Sequence, residues 1–227
     1  MAASKQRSKR AWIERHLADP YVKAAAQRGY RSRAAFKLAQ IDARDRLLRP
    51  GMVVVELGAA PGSWTQVVLE RLRGRDGVLR GRIVALDLLP MEPLPGVDCI
   101  VGDFREPAVR AQLEAALAGA KVDLVLSDMA PRLSGIAAVD AARSCDLAEH
   151  TIAFALEHLQ GNGALLLKAF HGSGFSQLVE TLKRYFVNVA TRKPAASRAE
   201  SAETYLLARG LKKRVLMGAP NPSPRWG

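Results

Sequence analysis

The most informative segment of the sequence is Val53-Val54-Val55-Glu56-Leu57-Gly58-Ala59-Ala60-Pro61-Gly62-Ser63-Trp64. An apolar run of strand length ends in a turn with two glycines, and a helical pattern over about 62–72 follows. Glycines at such a turn let the chain reverse tightly and let a ligand approach the backbone, while the helix offers its first amides. The stretch therefore predicts a strand, a ligand-binding loop and a helix at the start of an α/β sheet.

Further apolar runs alternate with helical patterns after this stretch. The runs cover 83–88, 97–101, 122–126 and 164–170, and the helical patterns cover about 107–118, 139–159 and 174–184. Such strands, joined by helices, are typical of a parallel sheet that is covered on both sides. Two last runs, 187–192 and 204–209, have no helix between them and predict an antiparallel pair at one edge. We expect a Rossmann-like α/β fold, with a mostly parallel seven-stranded sheet, an antiparallel edge strand and helices on both faces.

The segments outside this alternation set the expected domain limits. A helical pattern opens at Ser32 and is closed by Pro50-Gly51. Residues 1–10 are polar and basic, and residues 211–227 are basic and then rich in proline. We therefore predict a mobile arm over 1–10, a single domain with an N-terminal helical segment over 11–210, and a disordered tail over 211–227.

Composition narrows the class of protein and the kind of partner. The 227 residues carry a net charge of +12, divided as +9 over 1–50, −4 over 51–150 and +7 over 151–227, and Arg outnumbers Lys by 24 to 10. Two basic flanks favour a polyanionic partner, with nucleic acid ahead of a membrane surface. Two cysteines, no secretory signal and no apolar run of membrane-spanning length favour a cytoplasmic protein that is not inserted in a membrane.

The carboxyl ends of the first three strands predict a cofactor site. The spacing Gly58-x-x-x-Gly62 differs from the Gly-x-Gly-x-x-Gly of dinucleotide sites, and the chain has no phosphate-binding loop motif. Asp87 and Asp103 end the next two strands, where an acid can accept hydrogen bonds from ribose hydroxyls or from an adenine amino group. These features predict an adenosine-containing cofactor without a pyrophosphate, and S-adenosylmethionine is the natural candidate.

A second pair of polar residues ends the next two strands. Asp128 follows the fourth run, and Lys168 lies near the end of the fifth. A lysine in this position is either salt-bridged for structure or catalytic, and the neighbouring Asp128 favours catalysis. The four histidines form no metal-ligand pattern, so we expect no metal site.

Six motifs together resemble the FtsJ/RrmJ-type heat-shock ribosomal RNA 2′-O-ribose methyltransferases, from about Trp12 to Arg209. They are Ser32-Arg33-Ala34-Ala35-Phe36-Lys37-Leu38, Gly58-Ala59-Ala60-Pro61-Gly62-Ser63-Trp64, Asp87-Leu88-Leu89-Pro90-Met91, Gly102-Asp103-Phe104-Arg105, Ser127-Asp128-Met129-Ala130-Pro131, and Arg192-Lys193-Pro194 with Ser197-Arg198. The resemblance implies one methyltransferase domain. Two departures, a longer and more basic loop over 71–82 and a longer tail, lie outside the motifs.

The resemblance also implies roles for individual residues. The catalytic set of the family falls on Lys37, Asp128, Lys168 and Glu203, with Lys168 as the general base or as a residue that steers the hydroxyl oxygen. The expected cofactor contacts are Gly58, Gly62, Trp64, Asp87, Asp103 and Asp128. The basic flanks would contact RNA phosphates through Arg31, Arg33, Arg192, Lys193 and Arg198.

The implied activity is S-adenosylmethionine-dependent methylation of a ribose 2′-hydroxyl in large-subunit ribosomal RNA. The resemblance implies a uridine within an assembled or nearly assembled subunit, and we expect the enzyme to act as a monomer. Transfer RNA and messenger RNA caps are the alternative substrates, because relatives in the superfamily act on them. Two more remote alternatives are a nicotinamide-dependent oxidoreductase and a non-catalytic RNA-binding protein.

Overall fold

The computed structural model describes residues 18–132, 134–198 and 201–216. The predicted arm over 1–10 and the last eleven residues of the predicted tail lie outside this part of the chain. Among the described helices, none combines the length and the hydropathy that a bilayer crossing requires.

The described residues form one seven-stranded sheet in the order β3-β2-β1-β4-β5-β7-β6. The strands are β1 (Val53–Leu57), β2 (Arg82–Asp87), β3 (Val97–Val101), β4 (Val122–Ser127), β5 (Leu159–Phe170), β6 (Phe186–Arg192) and β7 (Glu203–Leu211). Strands β1 to β5 are parallel, and β7 runs antiparallel to both β5 and β6. The predicted Rossmann-like sheet and its antiparallel pair at one edge are confirmed, with β7 placed between β5 and β6.

The helices cover both faces of the sheet. They are α1 (Pro20–Gln27), α2 (Ala35–Asp45), α3 (Ser63–Leu72), α4 (Pro107–Leu117), α5 (Ala137–His158), α6 (Phe175–Tyr185) and α7 (Lys213–Leu216). Helices α2 and α3 pack on one face through residues such as Leu38 and Val67. Helices α4, α5 and α6 pack on the other through residues such as Leu113, Ile152 and Leu182. The strand β3 is largely exposed because it lies at the open edge of the sheet.

Three predicted boundaries differ from the structure. The helix expected from Ser32 to Pro50 spans only α2, because Arg46 takes a left-handed conformation (φ 51°) that ends it, and Leu47 and Leu48 are buried in the following loop. Strand β5 begins at Leu159, five residues earlier than expected. The first residues of the predicted tail have regular secondary structure. Leu211 is buried, pairs with Phe186 and is the last residue of β7, and α7 follows it. Burial of that leucine side chain accounts for the extension.

Candidate active site

The glycine turn after β1 holds two loops in close contact at the carboxyl edge of the sheet. Gly58 has a φ of +80°, and a Cβ atom there would lie 2.6 Å from the Cγ atom and 2.9 Å from the backbone nitrogen of Met129, which follows β4. Only glycine fits this approach without a shift of the backbone. The turn therefore lets the loops after β1 and β4 pack directly against each other, and both loops line one cleft.

This cleft is a cavity of about 240 Å³. Three carboxylates line it, all at or directly after strand ends: Asp87, Asp103 and Asp128. The side chain of Asp87 is fixed by two backbone amides, since Ala60 donates to its Oδ2 atom at 2.9 Å and Leu89 to its Oδ1 atom at 2.8 Å. A carboxylate accepts about four hydrogen bonds, so Asp87 retains capacity for a ligand hydroxyl pair.

Asp103 has a partner that the sequence did not reveal. The guanidinium of Arg105 donates to both of its carboxylate oxygens, at 3.0 and 2.6 Å, and contacts Asp146 of α5 at 3.2 Å. The hydrogen bond from Arg105 holds the pKa of Asp103 below its ordinary value. Arg105 also lines the cavity, beside Asp103.

Two predicted cofactor residues lie behind the cavity wall. Trp64 is buried, donates its Nε1 hydrogen to the carbonyl of Ala34 at 2.8 Å and packs against the ring of Tyr205 at 5.6 Å. Gly62 faces the guanidinium of Arg31, whose Nη1 atom would lie 2.5 Å from an added Cβ. Neither residue lines the cavity, while Gly58 does.

The four residues of the implied catalytic set lie close together. The Nζ atom of Lys168 donates to the backbone carbonyl of Asp128 at 2.7 Å and lies 3.0 Å from its Oδ1 atom. The Nζ atom of Lys37 contacts the two carboxylate oxygens of Glu203 at 2.7 and 2.8 Å. Glu203 lies 4.0 Å from Lys168 and links the two pairs. All four side chains are less than one-fifth exposed.

Sequence reasoning missed two members of this cluster. The hydroxyl of Tyr205 donates to Asp128 Oδ1 at 2.9 Å, and the hydroxyl of Ser197 donates to Glu203 at 2.9 Å. Tyr205 pairs directly with Lys168 across β5 and β7 and lies two residues after Glu203, on the same face of β7. That spacing of two was the available signal, and the apolar surroundings of β7 obscured it.

The electrostatics of the cluster follow from burial and from the paired charges. Burial alone would raise the pKa of Glu203, but the hydrogen bond and charge of Lys37, with smaller contributions from Lys168 and Ser197, hold it below its ordinary value. Burial and the charge of Asp128 raise the pKa of Tyr205 well above its ordinary range. Glu203 is therefore an acceptor near neutral pH, and the hydroxyl of Tyr205 is a donor.

A buried acid lies on β1 below this edge. Glu56 is 1% exposed and accepts a hydrogen bond from the hydroxyl of Thr65 at 2.7 Å. Burial raises its pKa to about 8, against the effect of Thr65. Glu56 is therefore mostly protonated at neutral pH, and the sequence analysis did not single it out.

The five predicted phosphate-binding residues divide into two groups. Arg33 pairs with Asp19 and donates to the carbonyl of Ala196, and Arg192 forms a two-point ion pair with Asp45 at 2.7 and 2.6 Å. Arg31 donates to the carbonyl of Pro61 at 2.9 Å and is 17% exposed. These three guanidinium groups are committed to protein partners. Lys193 and Arg198 are exposed, and the Nζ atom of Lys193 donates to the carbonyl of Ser201.

One group of possible metal ligands occurs in the described part of the chain, away from this site. Glu114, Glu157 and His158 place one ligand atom each within 4.8 Å of one another. Glu157 is already paired with Arg110 at 2.9 Å, and none of the three lines the cavity. This cluster plays no part in the site.

Comparisons with known proteins identify relatives of this chain. The model of the FtsJ-like methyltransferase family matches residues 30–211. Two relatives, from Bordetella parapertussis and Ralstonia nicotianae, are named ribosomal RNA large subunit methyltransferase E. They are 56% and 55% identical to this chain, and each match covers 92% of it and 100% or 98% of the relative.

A solved structure extends the likeness to three dimensions. The crystal structure of a Plasmodium falciparum protein described as a ribosomal RNA methyltransferase superposes with a TM-score of 0.71 at 31% identity. The match covers 80% of this chain and 98% of that one. The family model includes every residue of the cavity and of the charged cluster, and the chain belongs to the FtsJ-like methyltransferase family.

Proposed function

We propose that this methyltransferase transfers a methyl group from S-adenosylmethionine to a ribose 2′-hydroxyl of large-subunit ribosomal RNA. The observation that carries the proposal is the Lys168–Asp128 pair, held at 3.0 Å beside a cavity that Asp128 also lines. A methyl donor in the cavity and an acceptor at Lys168 would therefore lie next to each other. The names of the Bordetella and Ralstonia relatives support ribosomal RNA as the substrate.

The residues around the cavity fit S-adenosylmethionine by the chemistry of their donors and acceptors. Asp87 would accept from the ribose diol, Asp103 would accept from the adenine amino group, and Asp128 would face the methionyl ammonium. Gly58 lets Met129 pack closely against the turn, and both residues line the cavity. When bound, S-adenosylmethionine supplies a methyl group that its sulfonium charge has already activated.

Lys168 would contact the 2′-oxygen directly. Two of its three possible hydrogen bonds go to oxygens of Asp128, so its remaining valence can point toward a substrate. We propose that Lys168 either accepts the hydroxyl proton as a free amine or, as an ammonium, directs an oxygen lone pair toward the methyl carbon. A base gives a rate that rises with pH until the amine is free, whereas a steering ammonium loses activity when it is deprotonated.

Lys37, Glu203 and Tyr205 would position this pair. Lys37 and Ser197 fix the carboxylate of Glu203 from two sides, and Glu203 lies 4.0 Å from Lys168. Tyr205 fixes Asp128 through its hydroxyl. A hydroxyl aligned with the methyl group needs such fixed neighbours, because misplacement by about 1 Å can cost about a hundredfold in rate.

Substrate strands would approach this edge through exposed basic residues. Lys193 and Arg198 lie in the same segment as Ser197, and we propose that both contact phosphates. Such contacts position RNA without reading its sequence, and the 2′-hydroxyl itself distinguishes RNA from DNA. We extend the proposal to a uridine of the assembled large subunit, methylated in the cytoplasm by a monomer.

The test is a methyl-transfer assay with the purified chain. Large subunits from cells that lack the matching methylation would be incubated with S-adenosylmethionine that carries a labelled methyl group, then digested to nucleosides. We expect the label in one 2′-O-methyluridine, with naked large-subunit RNA as a weaker substrate. Label in a base, or label only in transfer RNA or capped messenger RNA supplied in parallel, would contradict the proposal.

A further inference from the structure

A second and larger cavity lies at the same edge of the sheet. Its volume is about 500 Å³, within the range of roughly 300–1,000 Å³ that small-molecule sites occupy. It is enclosed by the N-terminal half of α5, the end of β5, the turn 171–174 and the start of α6. Of its lining residues, only Lys168 has a role in the proposed function.

The two cavities adjoin the same catalytic pair. Lys168 lines the larger cavity, and its partner Asp128 lines the smaller one. Helix α5 separates them, since Leu147 faces the smaller cavity while Ser144 and Ala148 face the larger. The point of methyl transfer therefore lies where the two cavities approach each other.

The walls of the larger cavity suit a flat, uncharged ring. Three aromatic residues line the cavity: Phe170, His171 and Phe175. The ring centroids of His171 and Phe175 lie 4.4 Å apart, with an angle of 40° between the ring planes. Most of the remaining wall is formed by small or apolar side chains, such as Ala141 and Leu178. Base–aromatic stacking tolerates any base, because every base offers a π-face.

The polar groups of this cavity argue against a phosphate. The only carboxylate among the lining residues, Asp140, is anionic and accepts hydrogen bonds from the backbone and hydroxyl of Ser134. The hydroxyl of Ser144 already donates to the carbonyl of Asp140. The one lysine among the lining residues, Lys168, is already paired with Asp128. An anion here would therefore meet the negative charge of Asp140 beside a lysine that is shared with another carboxylate.

We infer that the larger cavity binds the base of the nucleotide whose ribose is methylated. The inference rests on the proposed function. Within one nucleotide the ribose joins the base to the 2′-hydroxyl, so a hydroxyl at Lys168 places its own base within reach of a cavity that Lys168 lines. The base leaves its neighbours in the strand and stacks against His171 and Phe175, as bases do in enzymes that extrude a nucleotide.

The first test fills the cavity from α5 with a matched control. Ala141 lines the cavity, whereas the next residue, Ala142, is exposed and does not. Ala141→Trp should lower kcat/KM for large subunits at least tenfold while leaving the dissociation constant of S-adenosylmethionine and the melting temperature near those of Ala142→Trp. Equal kcat/KM in the two folded variants would overturn the inference.

A second pair of variants keeps the test decisive if Ala141→Trp does not fold. His171→Ala removes one stacking ring, so kcat/KM for RNA should fall by roughly five- to a hundredfold, the equivalent of about 1–3 kcal/mol of base stacking. His171→Phe retains a ring and should restore the rate. Full activity in His171→Ala would overturn only this inference and would leave the proposed function standing. A wild-type chain that transfers no methyl group to ribose would instead overturn the proposed function as well.

Discussion

At the scale of single residues, Tyr205 gives the most specific prediction. Its hydroxyl fixes Asp128 but does not reach the reacting atoms in our proposal. Tyr205→Phe should lower kcat several-fold and leave the affinity for S-adenosylmethionine within about twofold, since one positioning hydrogen bond is lost. Tyr30→Phe is the matched control, because Tyr30 donates to Glu70 at 2.7 Å on the outer surface. If both variants have wild-type kcat, Tyr205 does not position the pair.

Arg31 was predicted to bind phosphate, and its contacts suggest another role. Its guanidinium bonds the carbonyl of Pro61 within the glycine turn, so it braces the cofactor loop. Arg31→Ala should raise the dissociation constant of S-adenosylmethionine by about three- to tenfold. This change corresponds to part of the about 1.5–3 kcal/mol that a charged hydrogen bond contributes. The salt dependence of RNA binding should not change. Calorimetric titration with the cofactor measures the first quantity, and an unchanged constant would remove Arg31 from the cofactor site.

Glu56 predicts a particular dependence of stability on pH. Its pKa is about 8 in the folded chain and near 4.5 when exposed, so between these values the folded state binds more protons than the unfolded state. The free energy of unfolding should therefore fall as pH rises from about 4.5 to 8. Glu56→Gln should remove much of this fall, as measured by urea denaturation across that range, whereas Glu157→Gln on the surface should not. A Glu56→Gln profile parallel to wild type would show that Glu56 is ionised.

At the scale of elements, the Arg192–Asp45 pair joins β6 to the end of α2. Both side chains are less than one-fifth exposed, and the hydrogen bond from Arg192 lowers the pKa of Asp45. Arg192→Ala should reduce the free energy of unfolding by about 3 kcal/mol, because Asp45 is left largely buried without its partner. The loss should shrink in acid, as Asp45 becomes protonated.

Arg198→Ala should affect RNA binding and not stability, in contrast to Arg192→Ala. Its exposed side chain should leave stability unchanged but flatten the slope of log RNA affinity against log salt by about 0.7–0.9, the value of one phosphate contact. If Arg192→Ala flattens the slope and leaves stability intact, the roles of the two arginines are reversed.

The elements that the sequence predicted well are those buried on both faces. Strands such as β1 and β4 are mostly apolar because helices cover them on both sides, so their approximate limits follow from composition. The hydrogen bond of Arg33 to the carbonyl of Ala196 and the ion pair of Arg192 with Asp45 join residues far apart in sequence, and no local pattern indicates them. The position of β7 between β5 and β6 likewise depends on long-range pairing.

At the scale of the whole molecule, the site was predictable where topology fixes it. Asp87, Asp103 and Asp128 come together because the carboxyl ends of parallel strands meet at one edge. Lys37 and Glu203 come from α2 and from the antiparallel strand β7, so only the family resemblance indicated that they belong to the same cluster. The second cavity depends on how α5 and α6 pack, which no motif records.

The most direct measurement is a map of 2′-O-methyl groups in large-subunit ribosomal RNA from cells of the source organism. Three strains would be compared: one with the wild-type chain, one without it, and one with Lys168→Ala at matched protein level. We expect one ribose to be methylated with the wild-type chain and unmethylated in both other strains, while purified Lys168→Ala still binds S-adenosylmethionine with near wild-type affinity. A map that is the same in all three strains, or a Lys168→Ala strain with full methylation, would contradict this expectation.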